Sequence, residues 1–346
     1  MSKLLWWGHC ALALITLLAY ASPFVSPHVF WPASFASLAY PSLVVAHVLL
    51  AGYWLYRGQR RWLLSLVVLG LGYGWLRSYV GMQREIASGQ QQLSVATYNL
   101  LGGRFIYHKD TEQRANRIES LMACLDADVV ALQEYTRYEA LRAELDAAFA
   151  KTGLTYRYLP DDTYVVIYSR YPIVEREVLA TYNQANGAIR ARIDVAGDTL
   201  EIVAAHLQSN RIDLDARELV ADAAQAKKEA YWTVRTVARN YRQAARKRAE
   251  DAAALARQLE QLKYPAVLLG DLNDTPLSYT LGSLRRAGLY DAFRQNGSGL
   301  GFTYAGAIPG LRIDYVLPTP GLTTQSTSVV DCGFSDHKAV RSVLSW

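Results

Sequence analysis

The stretch Val267-Leu268-Leu269-Gly270-Asp271-Leu272-Asn273 decides the fold. An apolar run of strand length ends at a glycine and is followed at once by two short polar side chains at i and i+2. On extended backbone Asp271 and Asn273 point the same way. The pattern recurs through the second part of the chain. Asn99 closes Leu93-Ser94-Val95-Ala96-Thr97-Tyr98, Glu134 closes Asp128-Val129-Val130-Ala131-Leu132-Gln133, and His206 closes Ile202-Val203-Ala204-Ala205. Asp314 sits inside Arg312-Ile313-Asp314-Tyr315-Val316, and Asp336 and His337 stand just before a strand expected at residues 339–344. Further strands are expected at 164–168 and 188–195, and an amphipathic helix at 114–125. A lone Asn or Asp at a strand end is ordinarily a turn residue. A whole set beside apolar strands instead reads as one polar mouth at a sheet edge, where sites in α/β proteins converge. Many strands with interspersed helices predict an α/β sandwich over residues 93–346.

The chemistry of the set is coherent. Asn99, Glu134 and Asp336 offer hard oxygen ligands suited to Mg²⁺, with Mn²⁺ as the alternative, and no His/Cys spacing favours zinc. His206 and His337 can donate to phosphate oxygens or carry a proton. Asp314 is placed to fix the tautomer of His337 and keep it cationic. Asp271 and Asn273 can hold and activate a water. Together these parts suit metal-assisted hydrolysis of a phosphate ester.

On these residues the chain resembles the endonuclease/exonuclease/phosphatase superfamily. The matching stretches stand in family order: Ala96-Thr97-Tyr98-Asn99, Leu132-Gln133-Glu134, Tyr168-Ser169-Arg170-Tyr171-Pro172-Ile173, Ala205-His206-Leu207, Gly270-Asp271-Leu272-Asn273, Arg312-Ile313-Asp314-Tyr315 and Ser335-Asp336-His337. The resemblance implies a four-layer α/β sandwich of the deoxyribonuclease I type and a Mg²⁺-dependent phosphohydrolase. It implies Glu134 as principal metal ligand with Asn99 and Asp336 close by, and Asp271 and Asn273 flanking the attacking water. It also implies His206 on the phosphate and His337, paired with Asp314, as transition-state stabiliser or general base. Whether Asp271 or His337 takes the proton stays open. Arg170 has two readings, a substrate contact or a turn residue salt-bridged at the surface. Where abasic-site enzymes carry an Asp two positions after the Asn, this chain has Leu101. That departure weakens a DNA-repair reading.

The N-terminal part is different material. Residues 4–56 contain no Asp, Glu, Lys or Arg, which nearly excludes a fully soluble chain. Three spanning helices are expected at about 4–21, 34–56 and 62–80, within a transmembrane region of residues 1–82, with 83–92 as a tether. A cleaved signal peptide is the rival reading of the first segment. Lys3 and the loop Arg57-Gly58-Gln59-Arg60-Arg61 place the N-terminus in the cytoplasm by charge bias, and hence the large domain outside, on the periplasmic side of the inner (plasma) membrane. Residues 1–92 hold six basic residues against Glu85 alone, which accounts for the whole net charge of +5. The 30 basic and 30 acidic residues of 93–346 balance, which argues against a polyanion-binding surface over the whole domain.

Two local features complete the reading. A basic helical insertion is expected at about 210–240, and around it Lys228, Arg235, Arg239, Arg242 and Arg246 line one helical face. It is either a solvated helix packed on the domain or a contact for anionic lipid or a polyanionic substrate, with Arg235, Arg239 and Arg242 as substrate-binding residues. Cys124 reads as a buried core thiol, with a bridge to Cys332 left open. The expected function is a membrane-anchored phosphoesterase acting on a lipid or membrane-proximal phosphate, with the bilayer as partner. An extracytoplasmic nuclease acting on DNA or RNA and a non-catalytic scaffold are the alternatives.

Overall fold

The computed structural model describes residues 2–86, 91–183, 185–209, 230–306, 308 and 310–346. The expected insertion therefore lies in part outside the described residues, as do residues 87–90 of the expected tether.

Two sheets stack face to face. The six-stranded sheet contains β2 (Gln92–Asn99), β3 (Val129–Gln133), β4 (Tyr156–Tyr158), β5 (Val166–Ser169), β12 (Thr323–Val330) and β13 (Ala339–Ser345), in the order β12-β13-β2-β3-β5-β4. The five-stranded sheet contains β6 (Ile173–Thr181), β7 (Gly187–Val195), β8 (Asp198–His206), β9 (Ala266–Asp271) and β11 (Asp314–Pro318), in the order β11-β9-β8-β7-β6. A short ribbon pairs β1 (Val80–Gly81) with β10 (Gly299–Leu300).

The apolar runs are continuous because both faces of the central strands are buried. In β3, Val129 and Ala131 join the core between the sheets, while Val130 and Leu132 face the opposite way. In β8, Ile202 and Ala204 face inward and Val203 and Ala205 outward. The outer face of the six-stranded sheet is covered by the helices Thr111–Leu125 and Glu139–Lys151 through Ile118, Leu121, Leu141, Leu145 and Phe149. The other sheet is covered by the helices Ala230–Leu259 and Tyr279–Arg286 through Ala252, Leu255, Leu281 and Leu284. The result is the expected helix/sheet/sheet/helix layering. Apolar alternation with period two fixes which residues meet in each layer.

Cys124 and Cys332 form a disulfide, with Cα atoms 5.7 Å apart. This corrects the reading of Cys124 as a free core thiol. The separation of 208 positions between the two cysteines hid a pairing that only the packing of β13 beside β2 makes short.

The N-terminal region departs from three straight spans. Among the described residues, only the helix Lys3–Phe24 is long and apolar enough to cross a membrane by itself, and a signal sequence meets the same description. The second expected segment is two helices, Pro27–Leu38 and Tyr40–Tyr56, bent by 55°. Prolines cause the break: Pro27 and Pro41 sit in first turns, and Pro32 lies inside the first helix, where Phe30 leaves helical dihedrals. The third is the ten-residue helix Trp62–Leu71, followed by a single turn at Tyr73–Leu76. Ten residues rise about 15 Å, half a bilayer.

These helices share one polar chain. Trp54 Nε1–H donates to His9 Nδ1 (3.0 Å), so His9 carries its proton on Nε2 and donates to Ser65 Oγ (2.8 Å). Ser65 then donates to His47 Nδ1 (3.0 Å), whose Nε2–H faces Thr16 Oγ1 (3.2 Å), and Thr16 donates to the Leu12 carbonyl (2.9 Å). An indole can only donate and a carbonyl only accept, so the chain runs one way with every member satisfied.

The helical region is docked on the sandwich rather than swinging from it. Arg312 donates to the Ser78 carbonyl, Arg286 to the Pro23 carbonyl and Tyr241 to the Ser34 carbonyl, at 2.8, 3.0 and 2.7 Å. Arg84 N–H donates to Asn296 Oδ1 at 2.7 Å, fixing the start of the expected tether.

Candidate functional site

Strand direction gathers the polar residues. β2 and β3 run parallel with Asn99 level with Gln133, so Asn99 and Glu134 leave the sheet at the same edge. β8 and β9 run parallel with His206 level with Asp271. β11 is antiparallel to β9, which sets its first residue, Asp314, opposite Asp271. β13 is antiparallel to β2, so His337, just before it, arrives at that edge too. Backbone strain sharpens the turn away from the strands: Glu134 and Asn273 hold φ of 47° and 52°. Gly270 is required by close approach, since a Cβ there would lie 1.9 Å from the Ala205 carbonyl oxygen.

Asp271 is the hub. Its Oδ2 accepts from Asn99 Nδ2 at 3.0 Å and lies 3.5 Å from His206 Nε2 and 3.8 Å from His337 Nε2. Its Oδ1 accepts the Asn273 N–H at 2.8 Å. Asn99 Nδ2 also reaches Glu134 Oε1 at 3.3 Å, and Asn273 Nδ2 donates to the Leu207 carbonyl at 3.0 Å. Asn99, His206, Asp271, Asp314 and His337 are all buried, while Glu134 is partly open to solvent.

His337 Nδ1–H donates to both oxygens of Asp314, at 3.1 and 3.0 Å. Burial opposes a charge on His337, but the Asp314 and Asp271 carboxylates facing it prevail and push the imidazole up to about 10. It is therefore a cation at neutral pH. The Asp314 and Ile313 N–H groups are both held by Thr303 Oγ1. His206 is oriented differently: its Nδ1–H donates to the Ala185 carbonyl at 2.8 Å, which leaves Nε2 buried with no hydrogen-bond partner.

A carboxylate oxygen from each of Asp271 and Asp314 and a ring nitrogen of His337 lie within 4.8 Å of one another; the two carboxylates can serve a metal ion, and the His337 nitrogen only once it has lost its proton. The wider donor set fits a hard divalent cation. It is rich in oxygen, includes the accessible Glu134 carboxylate, and keeps an orphaned buried His206 nitrogen beside it. The Asp336 carboxylate accepts from Ser335 Oγ at 3.4 Å, next in sequence to His337.

Not every expected residue comes to this edge. Arg170 pairs with Asp128 Oδ1 at 2.9 Å, and its N–H bonds the Asp128 carbonyl. Asp128 precedes β3 and Glu134 follows it, so Arg170 sits about 20 Å from the mouth by strand rise. The surface salt bridge is the reading that holds, and Arg170 as a substrate contact is corrected. Arg235, Arg239 and Arg242 are exposed and line a different groove, with Trp31.

Other site residues carried no sequence signal. Beside Glu134 opens a cleft of about 340 Å³ lined by Leu101, Arg104, Arg137, Tyr138 and Tyr164, among others. Arg137 stacks on Tyr164 with its guanidinium carbon 4.6 Å from the ring centre. Tyr304 packs edge-on to His337, centroids 5.1 Å apart. These residues lie in loops and gain meaning only from what they face.

The profile of the endonuclease/exonuclease/phosphatase family matches residues 96–337, and the chain belongs to that family. Its members are typically metal-dependent phosphoesterases or nucleases. A domain of unknown function matches residues 2–79. No curated protein matches in sequence. Among solved structures, TDP2 of D. rerio in complex with a single-strand DNA product aligns with a TM-score of 0.52 at 17% identity, over 74% of this chain and 100% of that one. Family proteins from Leptotrichia buccalis and Bacteroides vulgatus each align with a TM-score of 0.50, at 15% and 17% identity. Those alignments cover 73% and 74% of this chain and 100% and 99% of theirs. At such identities the likeness is one of fold.

Proposed function

We propose that this protein is a membrane-anchored, Mg²⁺-dependent phosphoesterase acting on a lipid or membrane-proximal phosphate ester. The single observation that carries the reading is the Asp314–His337 pair aimed at Asp271, on the same sheet edge as Glu134, Asn99 and His206. Glu134, Asn99 and Asp336 would hold the cation, which supplies charge neutralisation to the phosphoryl oxygens. Asp271, with Asn273 beside it, orients a water and accepts its proton. His337 cannot take that proton while Asp314 holds it as an imidazolium, so it donates to the developing phosphorane charge. His206 turns Nε2 toward the same space; with its Nδ1–H spent on the Ala185 carbonyl that nitrogen is an acceptor, and it donates to a phosphate oxygen only when the ring is an imidazolium.

The membrane part of the proposal rests on position. Leu277, four residues after Asn273, packs among Ala19, Ala36, Tyr40 and Leu43 of the apolar helices. Arg61 stacks on Trp6 and Trp54, which groups it with the N-terminal end of the first helix, whereas Pro23, at the other end, touches the sandwich. Charge bias then supports a cytoplasmic N-terminus and an extracytoplasmic catalytic domain. The disulfide favours the same oxidising side.

The test uses full-length protein in detergent with Mg²⁺ and Glu134→Gln as the blank. Bis(p-nitrophenyl) phosphate, phospholipid vesicles, plasmid DNA and RNA are assayed in parallel over a salt titration. Release of phosphate or headgroup from vesicles supports the proposal. Cleavage of nucleic acid alone, collapsing with salt, replaces it with the nuclease reading. No turnover of any substrate replaces it with the scaffold reading.

A further inference from the structure

The groove beside Trp31 lies outside the catalytic edge, and its chemistry is two-sided. One wall is the helix Ala230–Leu259, which presents Arg235, Arg239 and Arg242, all exposed, at i, i+4 and i+7. Residues 230–249 contain no Asp or Glu, so the basic character of this wall is uninterrupted over that part of the helix, up to Glu250. The other wall is the bent helix Pro27–Leu38, which contributes Trp31 to a groove of about 550 Å³. Beside Trp31 the same helix leaves Val29, Phe30 and Phe35 exposed. Phe35 packs edge-on against Tyr241 of the basic helix, centroids 5.3 Å apart. Guanidinium groups and uncovered apolar side chains thus meet along one seam, where the apolar helices join the sandwich.

We propose that this groove binds the headgroup of an anionic glycerophospholipid from the bilayer in which the N-terminal helices sit. Charge complementarity selects the occupant: a phosphodiester with acyl chains satisfies both walls at once. Arg can engage phosphate oxygens bidentately, and a Trp ring suits the headgroup level. A free polyanion satisfies the arginines and leaves Val29, Phe30 and Phe35 in water. The inference rests on the membrane reading above and adds a lipid site distinct from the catalytic edge.

The groove is also mechanically tied to that edge. Trp31 and Tyr304 both pack against the buried cluster of Leu38, Tyr241, Ala245, Leu311 and Ile313, and Tyr304 packs on His337. Six residues along the helix from Arg242, about 9 Å by helical rise, Arg248 donates to the Gln208 carbonyl and pairs with Asp274. A lipid seated in the groove therefore docks the basic helix, and with it the loops after His206 and Asn273, at a defined height on the bilayer.

The experiment uses full-length Glu134→Gln protein in detergent, so that binding is read without turnover. It is titrated with the short-chain lipids dihexanoyl phosphatidylglycerol and dihexanoyl phosphatidylcholine. Binding is followed by tryptophan fluorescence, with Trp31→Phe identifying the reporter. A preference for the anionic lipid is expected, falling with salt. Replacing Arg235, Arg239 and Arg242 with Gln should weaken that binding about 100-fold, on the scale of three basic residues at an anionic surface. Replacing all three with Lys should retain most of it. Equal binding of both lipids, an unaffected Gln variant, or displacement of the lipid by an oligonucleotide would overturn the site. Vesicle flotation of the same protein separates the two failures. A chain that floats but shows no anionic preference refutes the groove alone, and a chain that does not float refutes the membrane reading beneath it.

Discussion

Removing the Cys124–Cys332 bridge is the sharpest probe of how this fold holds its site. The bridge closes a loop of 208 residues, from the end of the helix Thr111–Leu125 to the connection between β12 and β13. In the chain-entropy account, a loop of that length restricts the unfolded state by about 5 kcal/mol. For a domain of this size each kcal/mol moves Tm by about 2–4 °C, so Cys124→Ala with Cys332→Ala should lower Tm by about 10–20 °C. Activity should respond much less. The loop that carries Asp336 and His337 keeps other anchors: the Ala305 N–H on the Asp336 carbonyl at 2.8 Å, the Lys338 N–H on the Thr303 carbonyl at 2.6 Å and the His337 N–H on Ser335 Oγ at 3.1 Å. Turnover of bis(p-nitrophenyl) phosphate at 25 °C should therefore fall only a few-fold. The assay is near-UV circular dichroism of the full chain during heating, beside initial rates before and after. Wild-type protein treated with dithiothreitol should reproduce the double variant. A Tm within about 3 °C of wild type would refute the reasoning, because it would mean that the bridge restricts nothing the unfolded chain explores.

Two further outcomes follow from the same geometry. Asp314→Asn keeps the side-chain shape and removes the charge that holds His337, so kcat should fall about 10²–10⁴-fold in protein whose near-UV circular dichroism shows it folded. With Asp314 present, His337 stays protonated up to about 10, so its donor role is full at neutral pH and is lost only as pH rises through that value. In the variant the alkaline loss should begin at lower pH, and an unmoved pH–rate profile would dismiss the pairing. Asp291→Asn breaks a buried ion pair in which Arg312 donates to both Asp291 oxygens, at 2.8 and 2.5 Å, and should cost about 3–5 kcal/mol. Burial works against the Asp291 carboxylate, but Arg312 prevails and holds it below its ordinary value. The stabilisation is therefore full above pH ~4, near the unfolded value, and is lost as pH falls through the folded one. The gap in Tm between wild type and variant should narrow only in that acid range.

Much of the sandwich was legible because its central strands are buried on both faces. Continuous apolar runs such as 266–269 and 202–205 mark β9 and β8 without help from neighbours. The edge strands β6 and β12 were not legible. Val174, Glu175, Arg176, Glu177 and Val178 of β6 are exposed, and β12 is built of Thr, Ser, Gln and Val, so neither carries an apolar pattern. In the N-terminal region, composition marked where the apolar material lies. It did not show that proline would bend the second segment or that the third would stop at Leu71.

The sequence by itself determined the chemical inventory: which strands end in Asn99, Glu134, His206 and Asp271, and that their oxygens and imidazoles suit a phosphate ester and a hard cation. Those residues could be named because a polar side chain at the end of a buried apolar run is a local pattern. Tertiary structure decided the rest. It paired β8 with β9 and β11 with β9, which brings His206 and Asp314, 65 and 43 positions away in sequence, onto one edge with Asp271. It sent Arg170 to the far end of β3 and joined Cys124 to Cys332. It also set Trp31 beside Arg235, Arg239 and Arg242 in a single groove. The physical reason is that strand direction, register and helix docking are fixed by contacts between segments distant in the chain, and such contacts leave no mark on the residues near either partner.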